Sequence, residues 1–197
     1  MSSNDSLRHL LNIVFFITFL SLSLLSSCDL PTVGGTGEVF PQADGNDCTY
    51  HNDVEENEWR FSMGSPQEHQ GGFTVYPVNF YIEDQLTGTK YLAKKDDGLY
   101  WYDDLSSTLN YWKLLEFPIV VGASWEFTQD GGVVVGTLEA VEDIEGGGNV
   151  YKSCLRVHYS GASNETIWFC PGVGIARDRA HTALGGYTLK LQKYELK

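Results

Sequence analysis

The chain has 197 residues, with 26 acidic side chains against 13 basic ones, four Cys and 21 Gly. A formal charge of −13 argues against a nucleic-acid partner, because phosphate binding needs a basic face and none is visible. The composition also excludes collagen, coiled coil, a polytopic membrane protein and a fully disordered chain.

A polar stretch carrying Arg8 opens the chain. Leu10 to Leu25 then form an apolar run broken only by Asn12, Thr18, Ser21 and Ser23. A membrane-spanning helix needs about 20 such residues, so this shorter run reads as a cleaved signal peptide, residues 1–27. Leu25-Ser26-Ser27-Cys28 follows the pattern of an apolar residue, two small residues and a Cys. It resembles the lipobox of bacterial lipoproteins. The resemblance implies that the Cys28 sulfur takes a diacylglycerol, that the chain is cut just before it, and that the new amine is acylated, for example by palmitate. The alternatives are an ordinary secretory signal and a retained anchor. Asp29 resembles an inner-membrane retention signal of enteric bacteria, a rule that does not transfer to all bacteria. Inner and outer membrane therefore both stay open.

Residues 28–58 hold few core-forming side chains. Pro31, Gly34-Gly35, Gly37, Pro41 and Gly45 precede an acidic run through Asp53, Glu55 and Glu56. This composition predicts a flexible acidic tether that holds a domain off the membrane. From Trp59 to Lys197 the pattern changes to period two. Phe73–Ile82 reads as a strand, with Pro77 marking a bulge or an edge. Tyr91–Lys95 and Leu99–Tyr102 flank Asp96-Asp97-Gly98, and Ser124–Gln129 and Val133–Ile144 flank Asp130-Gly131-Gly132, so both pairs read as hairpins. Val150–Tyr159 with Glu165–Cys170, and Gly174–Ala180 with Tyr187–Leu196, complete the set. Asp103 to Leu115 fits either a short helix or a strand. The fold expected is all-β, a curved antiparallel sheet or half-barrel of about ten strands.

Three Cys remain beyond Cys28. Placing Cys154 opposite Cys170 sets Arg156 against Trp168 and His158 against Thr166. The same register gathers Leu155, Val157, Tyr159, Ile167 and Phe169 on the other face. It therefore predicts a Cys154–Cys170 disulfide, which the oxidising compartment of an exported chain favours. Cys48 pairing with either partner, or no bond, are the alternatives. Cys48 near His51 and Asp53 is an incomplete metal site, and a free thiol fits better.

No Gly-x-Ser-x-Gly elbow, His-Glu-x-x-His motif or phosphate loop occurs, and neither cofactor, metal site nor catalytic residue is expected. Asp44-Gly45-Asn46-Asp47 lacks the terminal Glu of a calcium loop. The acidic pairs Glu55-Glu56, Asp96-Asp97 and Asp103-Asp104 read as solvated turns and tether rather than facing glycosidase carboxylates. Tyr100, Trp101 and Tyr102 form an aromatic concentration, readable as core and sheet surface or as a ligand platform.

Phe117-Pro118-Ile119-Val120-Val121-Gly122-Ala123-Ser124-Trp125, then Val135-Gly136-Thr137, then Trp168-Phe169-Cys170-Pro171-Gly172-Val173-Gly174, resemble a group of uncharacterised bacterial envelope lipoproteins. Their pattern is Pro-x-x-x-Gly-x-x-Trp followed by Pro-Gly-Val-Gly. Gly146-Gly147-Gly148-Asn149 stands where that group often has Gly-Thr-Phe. More loosely, the group resembles the half-barrels of lipoprotein carriers. The resemblance implies no catalytic residues.

The expectation is a lipid-anchored cell-envelope protein with a non-catalytic β domain, binding an envelope partner protein, a lipid or a saccharide. The alternative is an envelope polymer hydrolase using Asp or Glu residues the sequence does not single out. A binder predicts an aromatic groove without convergent acids. An enzyme predicts two facing carboxylates, one with a raised pKa.

Overall fold

A computed structural model describes residues 39–182 and 185–197. The signal segment, Cys28 and the start of the expected tether lie outside the described residues. Period-two alternation gives thirteen strands: β1 Asp47–Asn52, β2 Asn57–Met63, β3 Gln67–His69, β4 Phe73–Ile82, β5 Gln85–Lys95, β6 Gly98–Tyr102, β7 Tyr111–Glu116, β8 Ser124–Gln129, β9 Gly132–Gly146, β10 Asn149–Gly161, β11 Glu165–Cys170, β12 Gly174–Thr182 and β13 Gly185–Glu195. Among the described residues there is no helix.

Twelve strands form one antiparallel sheet in the order β7-β6-β5-β4-β2-β1-β13-β12-β11-β10-β9-β8, and β3 pairs with β4 alone. The sheet curls until its two edge strands approach each other, giving a nearly closed barrel. β7 and β8 share no hydrogen-bonded ladder. The seam is bridged by side chains instead. Trp125 Nε1 on β8 donates to the Lys113 carbonyl on β7 at 2.9 Å, and the buried Tyr159 hydroxyl on β10 donates to the Leu114 carbonyl at 2.5 Å. These two bonds satisfy edge carbonyls that a closed ladder would otherwise pair.

Local chemistry explains the strand pairing. Gln129 faces Gly132 across a two-residue turn, and Asp130 and Gly131 there have φ of 49° and 81°. Two left-handed residues make the turn whose twist matches a hairpin, which is why Asp-Gly occupies it. Trp125 pairs with Gly136, where a Cβ would stand 2.5 Å from the indole. Gly136 lets the ring lie flat over β9, giving the Trp of the Pro-x-x-x-Gly-x-x-Trp pattern a structural role. Pro77 sits where β4 passes from its pairing with β2 to its pairing with β3, so the missing N–H breaks neither ladder.

The sheet has more strands than the ten expected, and it begins at Asp47 rather than beyond Glu58. Residues 47–58, expected as tether, carry β1 and the start of β2. Cys48, Tyr50 and Asn52 alternate inward there, and Tyr50 is 2% exposed, with its hydroxyl donating to the Ile175 carbonyl at 2.8 Å. Polar neighbours mask this strand in the sequence. The acidic run beyond it is the hairpin turn into β2, held by Val54 N donating to Asn52 Oδ1 at 3.0 Å. Of the two readings of Asp103 to Leu115, the strand is the one observed, beginning at Tyr111.

The main core fills the barrel, with Leu92, Leu138, Val157, Tyr159, Phe169 and Leu189 all at 2% exposure or less. A smaller core lies apart from it, on the other face of β4, β5 and β6. Val75, Ala93, Tyr100 and Tyr102 are buried there, with Leu105 packed on them. Gln70 N donates to the Leu105 carbonyl at 3.0 Å, tying the segment after β3 to the β6–β7 connection.

Candidate ligand cavity

Glu165, Asp178 and Tyr187 lie on three adjacent strands, and register decides how they meet. Ile167, Asp178 and Leu189 are neighbours across β11, β12 and β13, and Glu165, Ala180 and Tyr187 form the next layer. All six belong to the barrel-facing side. Ala180 presents only a methyl group, which leaves room for the flanking Glu and Tyr to converge on Asp178. The Tyr187 hydroxyl stands 3.0 Å from Glu165 Oε1 and 3.0 Å from Asp178 Oδ2.

Asp178 is 7% exposed. Burial pushes its carboxyl well above the usual carboxylate range, and the neighbouring Glu165 pushes it further. Burial raises Glu165 as well, against the opposing pull of its hydrogen bonds and of the Lys90 charge. Two carboxyls this close, out of water, do not both ionise readily, so they share a proton. Burial and the two acids push the Tyr187 phenol upward too, keeping it protonated. The shared proton hydrogen-bonds the Asp178 carboxyl to Glu165.

These acids face a cavity of about 260 Å³ inside the barrel. Its walls are aromatic: Trp59, Phe61, Phe80, Trp101, Trp112 and Tyr187. Phe80 packs edge-on against both Phe61, at 4.6 Å between centroids, and Trp101, at 5.5 Å. Trp59 leans on Tyr187 at 5.4 Å and donates its indole N–H to Asn57. By contrast, the buried indole N–H of Trp101 has no acceptor among the described residues, while Trp112 hydrogen-bonds to the Tyr159 hydroxyl. Lys90, with 36% of its side chain exposed, and Gln129 supply further polar lining. Lys90 is paired with Asp103 at 2.9 Å.

The aromatic concentration on β6 divides between the two faces of the sheet. Trp101 points into the cavity. Tyr100 and Tyr102 point to the outer core, where burial pushes both phenols up to about 12. The three rings therefore form no single platform. The outer cluster is also satisfied internally. Lys95 Nζ sits 3.8 Å over the Phe73 ring and donates to Tyr102 Oη at 2.6 Å, and Tyr100 donates to Asp97 at 2.6 Å.

Cys154 and Cys170 are disulfide-bonded, with Cα atoms 4.1 Å apart, and the β10–β11 register is the one that pairs Arg156 with Trp168 and His158 with Thr166. Cys48 is a free thiol on the barrel-facing side of β1, while His51 is on the opposite side and contacts Glu56. Burial pushes the Cys48 thiol up to about 11. Among the described residues, no three His, Cys, Asp or Glu side chains are grouped as metal ligands.

Sequence reasoning missed Glu165 and Asp178. A signal was present, because the β10–β11 register sets Glu165 opposite Tyr159, on the apolar face. Asp178 is masked by Arg177 and Arg179, which make its strand look solvated. It is betrayed only by sharing a face with Ala180.

No family model and no curated protein matches this chain. A crystal structure of a putative lipoprotein from Parabacteroides distasonis ATCC 8503 is similar to it, with a TM-score of 0.46 and 8% identity over 82% of this chain and all of that one.

Proposed function

We propose that this chain is a lipid-anchored envelope protein whose barrel takes one small ligand into its interior cavity without transforming it. The anchor reading is supported by the apolar run Leu10–Leu25 and by Leu25-Ser26-Ser27-Cys28. The binding reading is supported by a single observation: a cavity of about 260 Å³ inside the barrel, walled by six aromatic side chains and bordered by the Glu165–Asp178–Tyr187 cluster. Aromatic walls around a water-sized or larger space suit an apolar ring with a few polar contacts.

The acid pair brings the hydrolase reading forward, since two carboxyls do converge and both are raised. Its geometry nevertheless favours binding. The Tyr187 hydroxyl stands 3.0 Å from both carboxyls, where a dyad would hold its attacking water. The two acids also adjoin each other, without the 5–9 Å gap between glycosidase carboxylates. A cavity of about 260 Å³ admits one ring rather than a polymer strand.

The test is a titration of the purified full chain with indole, benzylamine and glucose, read by Trp emission, since three indoles line the cavity. At least one compound is expected to give a saturable change that the cavity-filling variant Leu189→Trp abolishes. Failure of all three at millimolar concentration overturns the reading.

A further inference from the structure

Resting on the cavity-binding reading, we infer that the cavity is entered from the barrel end opposite the tether, and that its ligand is a neutral or cationic solute taken from water, not a membrane lipid. Strand polarity fixes the two ends. Asp47 faces Glu195 at one end, where β1 starts and β13 stops, and the chain runs back from there to Val39. The cavity lies at the other end. Trp59 near the start of β2, Trp112 near the start of β7, Gln129 at the end of β8 and Tyr187 near the start of β13 all line it. Exposure falls along the axis. Trp59, Trp112 and Tyr187 are partly exposed. Phe61, Leu114 and Leu189, two residues further along the same strands toward the tether end, are buried. The mouth is therefore where Trp59 and Tyr187 stand.

The tether end is sealed. Phe40 lies against Gly174, where a Cβ would stand 3.3 Å from the ring. The Asn46 amide donates to the Pro41 carbonyl at 3.0 Å and accepts from Lys197 N at 2.9 Å, tying the two chain segments together there. About 30 Å³ remains between Phe40, Pro41, Leu196 and Cys48, too little for a ring such as benzene. The two ends also differ in charge. At the tether end the β7–β8 connection, residues 117–123, is wholly uncharged, and Asp44 and the Asp96-Asp97 turn are the acids of the connections. At the mouth end, the turns 53–56, 83–84, 103–110 and 130–131 expose Glu55, Glu56, Glu83, Asp84, Asp104 and Asp130 and contain no Lys or Arg. Lys90, the basic residue of the cavity lining, is already paired with Asp103 at 2.9 Å. Such a rim raises the local concentration of cations and lowers that of anions. It also disfavours approach of anionic lipid headgroups to the mouth.

The experiment uses the full chain in vesicles of phosphatidylcholine and phosphatidylglycerol. Leu189→Cys places a reporter thiol on the buried wall of the cavity, and Cys48→Ser removes the free thiol at the other end. Labelling at position 189 is mapped by peptide mass for N-ethylmaleimide, a sulfonated maleimide and a maleimide carried on a lipid headgroup. The neutral reagent is expected to label. The sulfonated one should be about tenfold slower, each rate being normalised to that of the chain in urea, and the lipid-borne one should not label. Lys90→Trp, which narrows the mouth, should slow the neutral reagent, and Phe40→Ala, which loosens the tether end, should leave it unchanged. If Leu189→Cys fails to fold, Ile167→Cys takes its place. Labelling that Phe40→Ala accelerates and Lys90→Trp leaves unchanged overturns the inference. So does labelling by the lipid-borne reagent, or equal rates for the neutral and sulfonated reagents. Labelling controlled at the mouth, with no binding of indole, benzylamine or glucose, overturns the cavity-binding reading and leaves the entrance standing. No labelling by any reagent overturns both. A chain that stays out of the vesicles overturns the anchor reading instead, and the two soluble reagents then decide the entrance.

Discussion

Asp178 and Glu165 hold a proton in the folded barrel that the unfolded chain would release, and this has a sign. In the unfolded chain both carboxyls titrate near the ordinary value of about 4. In the folded chain burial raises them, Asp178 more strongly. The native state thus binds more protons than the unfolded state above pH 4, so unfolding becomes easier as pH rises. The pair's contribution is fully present below about pH 4 and is lost as pH climbs through its raised titration. Asp178→Asn removes the shared proton. Between pH 4.5 and 8.5 the native chain is expected to lose Tm relative to this variant, by roughly 3 °C for each kcal/mol. Parallel Tm curves would show that the two carboxyls do not share a proton. Cys48 gives a second test at this scale. With its thiol pushed up to about 11, it should resist alkylation at pH 8 while folded and react within minutes in urea. Fast reaction of the folded chain would contradict its burial. These residues also mark how far the sequence was legible. The Cys154–Cys170 bond follows from sorting apolar side chains to one face, a local operation on one hairpin. The acid pair depends on register across three strands, and no short motif records that.

At the scale of elements, the hairpins were the legible part because turn chemistry is local. Asp130-Gly131 and Asp96-Asp97 announce their turns whatever surrounds them. β1 was not legible, because Asp47, Thr49 and His51 share its length with Tyr50, and its inward alternation shows only once β13 and β2 flank it. The seam was equally hidden. Nothing in the sequences of β7 and β8 says that they meet without pairing, since the bridge comes from side chains. Trp125 and Tyr159 each satisfy a β7 carbonyl, and the Trp125 indole is otherwise replaceable by an apolar ring. Trp125→Phe is expected to cost about 1–3 kcal/mol, because it leaves the Lys113 carbonyl without its donor. The loss should be local, with amide exchange on β7 and β8 accelerating well before that on β11 and β12. Uniform acceleration across the sheet would mean that the seam is not a separate weak point.

At the scale of the whole molecule, the barrel and the proposed anchor make different demands on the chain. The barrel domain needs no lipid to fold, since its core is enclosed by its own sheet. The apolar run Leu10–Leu25 is, by its length, too short to span a bilayer stably. The proposed acylation of Cys28 would supply the anchorage that such a run does not. One chain gives only marginal membrane residence, whereas several chains, each CH₂ contributing about 0.8 kcal/mol, hold firmly. Val39 follows Cys28 by eleven residues. At no more than about 3.6 Å per residue, an anchor at Cys28 would hold Val39 within roughly 40 Å of the lipid-bearing sulfur. A charge of −13 disfavours closer contact with anionic lipid, an effect that salt would screen over about 8 Å. Intact mass spectrometry of the protein from its own membranes tests this arrangement. The expected mass lacks residues 1–27, carries added acyl mass, and gains two hydrogens on reduction, from the one disulfide among the described residues. Cys28→Ser should move the protein to the soluble fraction while leaving Tm unchanged, since the lipid lies outside the fold. A native chain that is soluble and without acyl mass would remove the anchor and leave a secreted barrel, whose cavity would then serve a diffusible ligand.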